Sequence, residues 1–287
     1  MISSSENSRF RRWKKLKTTR GRKKENAYLV ESRKLVSDLL ESGAEVESVL
    51  LLEGRADAFL EMERNQRRFL PQPSESHDSR QAWERRSPEK IFLPEKLFME
   101  LSSMETPDGI LAVVRGRPGI HIESLRKSNG TKENSVREKN GNYLLLDHIQ
   151  DPGNLGAILR SAEAFGYRQI LLLECTDTSN PKTLRASMGS VFRLTYYEMH
   201  PNELLPWKSN CPFLWIGADM KGESVSSFSW PQQHVLIIGN EGRGISPELR
   251  EHIDRYLMIP MEGKAESLNA AVSASILMAF QHLSSQG

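Results

Sequence analysis

Long apolar runs are missing from this chain of 287 residues. No uninterrupted apolar stretch approaches the roughly 18 residues that a membrane-spanning helix requires. The N-terminus also lacks the apolar core of a secretory signal peptide. Charged residues make up 26% of the chain and hydrophobic residues 38%, a balance typical of a protein with a polar surface. We therefore expect no membrane partner and a cytoplasmic location.

Cysteine is scarce as well. The two cysteines, Cys175 and Cys211, are far apart in the sequence, and neither belongs to a metal-ligand spacing. The pattern predicts neither a disulfide framework nor a zinc site. A reduced compartment suits such a chain, and no metal is expected.

Acidic residues are absent from part of the N-terminal region. The formal net charge is only +2, yet the segment from Arg9 to Lys24 holds ten Lys or Arg residues and no acid. Such a run favours a polyanion as partner, and nucleic acid first. The alternative is a solvated, disordered tail. We expect residues 1–25 to form a loose basic arm on RNA, and further candidate phosphate contacts are Lys182, Arg185, Arg193 and Arg243.

Strand-like and helix-like patterns alternate in a first block, residues 26–116, which predicts a small α/β domain. A polar piece over 71–90 is typical of a surface insertion. Residues 117–142 are charged and rich in Gly and Asn, which indicates a linker and a domain boundary. The predicted elements of the block are a helix after Leu29, a strand over Val46–Leu52, helices over 56–67 and 94–103, and a strand over Ile110–Val114.

The second block, residues 143–287, keeps alternating to its end, so its sheet should be mostly parallel. Ser267 is the predicted N-cap of a last helix rich in small residues. The other predicted helices cover 155–165, 181–189 and 247–256. The predicted strands cover 143–147, 169–173, 213–217, 234–238 and 256–259.

Three loops at strand ends carry unusual residues, at 147–160, 239–246 and 259–269. In parallel α/β sheets, ligands bind outside the carboxyl ends of the strands. The glycines at 239, 242 and 244 run G-x-x-G-x-G and not G-x-G-x-x-G, which argues against a dinucleotide site. Plain turn geometry would also explain these glycines. Two polar residues between them, Asn240 and Glu241, are more than a plain turn needs.

Three stretches in these loops are similar to the successive motifs of the SpoU/TrmH family, which are RNA 2'-O-ribose methyltransferases of the SPOUT superfamily. The stretches read DPGNLGAILRSAEAFG, IIGNEGRGIS and IPMEGKAESLNAAVSASI, and the likeness spans roughly residues 143–283. Through YLVESRKLV and TPDGILAVV, the first block resembles the family's substrate-binding module, which is similar to a small ribosomal-protein fold. The family pattern often has Gly where Ser32 stands here.

The resemblance implies a parallel-sheet SPOUT domain with a deep trefoil knot at its C-terminus. It implies that S-adenosylmethionine binds bent in the knot and that the protein works as a homodimer through the C-terminal domain. Cofactor-binding residues by position are Gly239, Asn240, Gly242, Ile259, Met261, Leu268 and Asn269.

Catalytic residues implied by position are Arg160, Asn154, Glu241, Ser267 and Asn269. In the family, an arginine at the position of Arg160 is proposed to deprotonate the ribose hydroxyl. A neutral guanidine at pH 7 costs roughly 8 kcal/mol, so a cation that stabilises the alkoxide and binds a phosphate fits equally well.

The remaining site residues have structural alternatives. Asn154 would orient Arg160 or the ribose, unless it is only a helix N-cap. Glu241 would hold Asn or Arg side chains of the site, unless it is an exposed turn charge. For Ser267 a helix-capping role and a catalytic role are equally good interpretations. For Asn269 we favour a functional role, because Asn is a poor helix former. For His148 we favour a packing or hydrogen-bonding role over titration.

The resemblance implies methylation of a ribose 2'-hydroxyl in structured RNA, and by analogy with the family's two-domain form it favours 23S ribosomal RNA over tRNA. A non-catalytic RNA-binding factor on the same scaffold is the first rival, and a nicotinamide-dependent oxidoreductase is the second.

Overall fold

The computed structural model describes residues 1–55, 88–122, 142–263 and 267–286. The chain divides into two compact units, Met1–Arg117 and Pro118–Gly287. The helix expected at 56–67 lies outside the described residues, as do most of the insertion at 71–90 and most of the linker at 117–142. Among the described residues, no helix is long and apolar enough to cross a membrane.

The first unit is built on a four-stranded mixed sheet in the order β1-β4-β2-β3. The central strand β4 runs antiparallel to both β1 and β2, and β3 runs parallel to β2. The strands are β1 (Ala27–Glu31), β2 (Val46–Leu52), β3 (Glu89–Leu93) and β4 (Ile110–Arg115); the helices are α1 (Ser8–Lys15), α2 (Thr19–Glu25), α3 (Arg33–Glu41) and α4 (Glu95–Leu101).

The N-terminal basic segment is helical, so the expectation of a loose arm is wrong. Phe10, Trp13 and Leu16 are each at most 1% exposed and belong to one apolar core with strand and helix residues of the same unit. Their spacing of three residues places them on one face of α1 and its end. Burying two aromatic side chains contributes several kcal/mol, which is enough to fix a segment of high charge.

The turn after β1 explains why the family pattern often has Gly at the position of Ser32. Ser32 has φ 93°, a left-handed conformation that favours glycine. Its hydroxyl partly offsets the strain, because it accepts a bond from the Leu35 N–H and so caps α3. The preceding Glu31 is buried and accepts from the backbone and hydroxyl of Ser103, both at 2.9 Å.

The second unit contains a seven-stranded sheet in the order β11-β9-β10-β6-β7-β8-β5. Every neighbouring pair is parallel, which confirms the predicted parallel α/β architecture. Two of its strands, β5 and β8, were not predicted from the sequence. The first of them, β5, lies within the segment that we expected to be a linker. The strands are β5 (Ile120–Ile122), β6 (Tyr143–Asp147), β7 (Gln169–Leu173), β8 (Thr195–Met199), β9 (Leu214–Ser224), β10 (His234–Ile238) and β11 (Arg255–Met258).

Three helices of this unit begin at a residue whose side chain accepts N–H groups of the first turn: Asp151, Asn180 and Asn269. The helix expected over 247–256 is shorter than predicted, because Asp254 already accepts from the Trp215 N–H at the sheet. A one-turn 3₁₀ helix, Ser190–Phe192, precedes β8. The helices are α5 (Pro152–Ala164), α6 (Pro181–Ser187), α7 (Pro201–Asn210), α8 (Pro247–Arg250) and α9 (Ala270–Ser284).

A buried histidine connects the amino ends of two strands of the sheet: His234 begins β10, and its partner Tyr167 lies just before β7. The Nε2 of His234 lies 2.6 Å from the Tyr167 hydroxyl, and its Nδ1 lies 3.3 Å from the Pro231 carbonyl. The carbonyl can only accept, so Nδ1 carries the proton and Nε2 accepts from Tyr167. Burial lowers the pKa of His234 to about 4.

This lowered pKa predicts a loss of stability in mild acid. The unfolded chain takes up a proton as the pH falls below about 6.5, whereas folded His234 stays neutral until about pH 4. Between pH 6.5 and 5 the free energy of unfolding should therefore fall by about 2 kcal/mol through this residue. In urea denaturation, His234→Gln should flatten that slope, whatever its stability at pH 7. An unchanged slope in the variant would contradict the assignment.

Candidate active site

The three loops singled out in the sequence meet at the carboxyl edge of the parallel sheet. They follow β6, β10 and β11. The first two are joined directly, since the Asn240 side chain donates to the His148 carbonyl at 2.8 Å and the Ser246 N–H donates to Asp147 at 2.6 Å. A rigid sheet thus presents these loops at the edge where ligands bind in such folds.

Asn154 links all three loops through one side-chain amide. Its Nδ2 donates to Glu241 Oε1 at 2.8 Å, and its Oδ1 accepts from Asn269 Nδ2 at 3.0 Å. Asn154 is not the N-cap of α5, because Asp151 fills that position and accepts the Asn154 N–H at 2.8 Å. The structure therefore brings together three of the five predicted catalytic residues.

Asn269 has two functions at once. Its Oδ1 accepts from the N–H groups of Ala271 and Val272, which makes it the N-cap of α9, while its Nδ2 binds Asn154. The prediction that Ser267 caps this helix is wrong, and so is the placement of Asn269 inside it. Asn is favoured at an N-cap for the same reason that it is disfavoured in a helix interior. Ser267 is exposed two residues earlier.

Arg160 stands apart from this network. It is exposed on α5 and has no hydrogen bond or ion pair with the residues that the structure describes. Six residues after Asn154, it lies about 240° around the helix. The next residue, Ser161, contacts Ser275 of α9 at 2.7 Å between hydroxyl oxygens.

A buried carboxylate supports the first two loops. Asp147 is fully buried and its other oxygen lies 2.5 Å from Nδ1 of His148. His148 has φ 56°, an uncommon conformation for a side-chain-bearing residue. The hydrogen-bonding role expected for His148 is therefore present. The sequence signal for Asp147 was an acid at the end of an apolar strand, and we did not single it out.

Two further titratable groups of this unit have shifted pKa values. The ammonium of Lys182, 2.7 Å away, and the Asn154 N–H hold the pKa of Asp151 below its usual value. Burial raises the pKa of the Cys175 thiol to about 12, so this cysteine is not a nucleophile near neutral pH. Among the described residues, no cluster of His, Cys, Asp or Glu could hold a metal ion.

The glycine turn is tightly folded on itself. A Cβ on Gly239 would collide with the backbone of Gly244 and Ile245. Asn240 and Gly244 exchange two backbone hydrogen bonds of 2.9 Å each across the turn. Glycine is thus required at Gly239 by close approach, which a turn rule alone does not reveal.

The loop residues fit a nucleoside with a cationic group. Ile259, Met261 and Leu268 are apolar and half-buried, so they suit the flat face of a purine. Glu241 supplies a half-buried carboxylate close by, which suits a sulfonium ion. Gly242 is exposed and leaves the backbone accessible.

Comparison with known proteins identifies the class of protein to which this fold and site belong. The SpoU rRNA Methylase family matches residues 141–279, and the MRM3-like substrate binding domain matches residues 7–112. This chain belongs to the SpoU rRNA methylase family.

Two relatives and one solved structure cover nearly its whole length. The 23S rRNA (guanosine(2553)-2'-O)-methyltransferase RlmP of Bacillus subtilis is 31% identical over 96% of this chain and 97% of its own. The 23S rRNA (uridine(2479)-2'-O)-methyltransferase of Streptomyces viridochromogenes is 30% identical, over 96% and 89%. The crystal structure of the SpoU methyltransferase AviRb from S. viridochromogenes, in complex with AdoMet, has a TM-score of 0.76 at 28% identity and covers 98% of this chain and 99% of its own.

The two functions of Asn269 can be separated by substitution. Ser caps a helix about as well as Asn, but its side chain is shorter and has no amide nitrogen to donate to Asn154 while its oxygen caps the helix. We therefore expect Asn269→Ser to lose only the side-chain bond, about 0.5–1.5 kcal/mol of unfolding free energy, and Asn269→Ala to lose about 1 kcal/mol more.

Urea denaturation of both variants measures this difference. As a control, the Ser substitution should cost little in an Asn154→Ala background, where the bond is already absent. Equal losses for Ser and Ala would show that Asn269 does not stabilise α9 through its side chain.

Proposed function

We propose that this protein transfers a methyl group from S-adenosylmethionine to a ribose 2'-hydroxyl of structured RNA, with 23S rRNA as the favoured substrate. The observation that carries the proposal is the bridge from Asn154 to Glu241 and Asn269. It joins the three family motifs at one edge of the sheet. The relatives that cover the whole chain are named as 23S rRNA 2'-O-methyltransferases, which favours rRNA over tRNA.

The cofactor supplies an electrophilic methyl group on a sulfonium when bound. Gly239, Asn240, Gly242, Ile259, Met261, Leu268 and Asn269 would hold it. This chain must orient the ribose and stabilise the oxygen as its proton leaves. Asn154 keeps one N–H and one acceptor lone pair beyond its two bonds, so it remains able to orient a hydroxyl. We place Ser267 at the rim of the same site.

Arg160 is the proposed cation for the reacting oxygen. Its exposure leaves the guanidinium available to RNA, and a charged guanidinium avoids the cost of roughly 8 kcal/mol for its neutral form. We infer that Arg160 binds a phosphate and stabilises the developing alkoxide.

A homodimer through the C-terminal unit is part of the proposal. Helix α9 exposes a line of apolar side chains along one face: Val272 is 46% exposed, Phe280 39% and Leu283 68%. Ser161, next to Arg160, touches the same helix. A second protomer against this face would cover the apolar line.

The deep trefoil knot and the cytoplasmic location also belong to the proposal. The buried Ala270, Ala271 and Ala274 at the start of α9 permit the close backbone approach that a threaded helix requires. Both cysteines are free thiols, which suits a reduced compartment.

Transfer of a labelled methyl group to purified 23S rRNA and to tRNA, with mapping of the modified ribose, tests the function directly. Arg160→Ala should lower kcat by about 10²–10³-fold, the usual cost of losing one oxyanion-stabilising group. Arg160→Lys should recover part of that loss because it keeps the charge.

Arg168→Ala is the matched control, since Arg168 is equally exposed but precedes β7 at the opposite edge of the sheet. Calorimetric binding of S-adenosylmethionine should be unchanged in Arg160→Ala. Near-normal turnover of that variant, or methylation of neither RNA by the wild type, would refute the proposal.

The dimer is tested by sedimentation. The wild type should sediment at twice the 32.6 kDa of one chain, and Leu283→Glu should shift it to the monomer by placing a charge in the covered face. Met99→Glu, on an exposed methionine of α4, should remain dimeric. A monomeric wild type would exclude this part of the proposal.

A further inference from the structure

The ten basic residues between Arg9 and Lys24 do not form one uniform surface. Most of them are bound to other groups of the first unit. The bonded residues are Arg9 to Glu89, Arg12 to Glu25 and Glu47, Lys14 to Glu100, Lys15 to Glu25, Lys17 to the carbonyls of Glu100 and Ser102, and Arg22 to the Leu16 carbonyl.

These pairs hold the helices on the sheet. The guanidinium of Arg12 forms two bonds to Glu47, at 2.6 and 3.1 Å. This contact is the first cause of the lowered pKa of the Glu47 carboxyl. These residues already have partners within the unit, and Arg22, only 4% exposed, is buried as well. Arg11 pairs with Glu6 at the surface.

Three cations of helix α2 remain. Arg20, Lys23 and Lys24 are exposed and have no partner among the residues that the structure describes. Their spacing of three and four residues places them on one face of the helix. Glu25, the acid of α2, faces inward to Arg12 and Lys15.

The helix that carries these cations is fixed in place. A Cβ on Gly21 would collide with the Lys15 carbonyl, so only glycine permits the close approach of α2 to the end of α1. Arg22 donates to the Leu16 carbonyl at 3.0 Å, and the Thr18 side chain caps α2 through the Gly21 N–H at 3.1 Å. A fixed helix loses less conformational entropy on binding than a loose arm would.

We propose that the face of α2 formed by Arg20, Lys23 and Lys24, the α2 patch, binds phosphates of the RNA substrate, while the rest of the basic segment is structural. The inference rests on the proposed function for the identity of the RNA. The patch has positive charge, exposure and a rigid support, which suit contacts to a phosphate backbone. It would add affinity without reading sequence.

Salt dependence of RNA binding tests this assignment. The probe is a fluorescein-labelled RNA stem-loop, titrated with full-length protein between about 50 and about 200 mM KCl. Replacing Arg20, Lys23 and Lys24 together by Gln should reduce the slope of log K against log salt by about 2 to 3, since each phosphate contact contributes about 0.7–0.9. Binding at the low-salt end should weaken by at least about tenfold.

The matched control removes an equal number of positive charges, three, from the same basic segment. Replacing Arg9, Lys14 and Lys15 by Gln should lower thermal stability, because their acid partners lose their contacts, but should leave the salt slope unchanged. Thermal unfolding of the α2 variant should match the wild type. An unchanged slope in the α2 variant, or an equal reduction in the control, would overturn the assignment.

Methyl transfer separates this inference from the proposed function. The α2 variant should raise KM for RNA and leave kcat at saturating RNA unchanged, because the patch has no part in the chemical step. A wild type that binds the stem-loop through the patch but methylates no RNA would refute the function and leave the patch intact. A fall in kcat at saturating RNA would refute the claim that the patch acts only in binding.

Discussion

The candidate site depends on one side-chain amide. Asn154 joins loops that lie 87 and 115 residues away in the chain, and a planar amide can do so because it donates at one end and accepts at the other. The half-buried Glu241 carboxylate needs this donor, since a buried acceptor without a partner costs about 1–3 kcal/mol. One residue thus connects Glu241 of the second loop with Asn269 at the end of the third, at one edge of the sheet.

The same residue types have opposite functions in the N-terminal segment, and their partners decide which. Arg12 and Lys14 face carboxylates of the sheet and α4 and hold the helices in place. Lys23 and Lys24 face solvent. Sequence spacing alone does not separate these groups, because the acids that pair with the first group lie up to 86 residues away. A run of positive charge is therefore a mixture of structural and available cations until the fold is known.

Much of the fold could be predicted from the sequence, since strands such as β6, β7 and β10 are short apolar runs between turns. Long-range information decided the rest. The N-cap of α9 is Asn269 and not Ser267, because the helix begins where the Asn269 side chain can also reach Asn154. The edge strand β5 is only three residues long and has no pattern of its own. The helix at the N-terminus could have been predicted from the three-residue spacing of Phe10 and Trp13. The run of positive charge around them favoured a loose arm instead.

Sequence similarity located the residues of the site, and the structure separates them into a bonded group and an exposed arginine. Asn154, Glu241 and Asn269 satisfy one another within the chain, whereas Arg160 has no such contact among the described residues and is exposed beside α9. A cation that must act on a polyanion gains little from an internal carboxylate partner, which would compete with the phosphate for the guanidinium. Among the described residues Arg160 lacks such a partner, which suits the phosphate contact proposed for it. If two protomers associate through the apolar face of α9 and their contact reaches Arg160, the exclusion of water from the guanidinium would strengthen its interaction with a developing alkoxide.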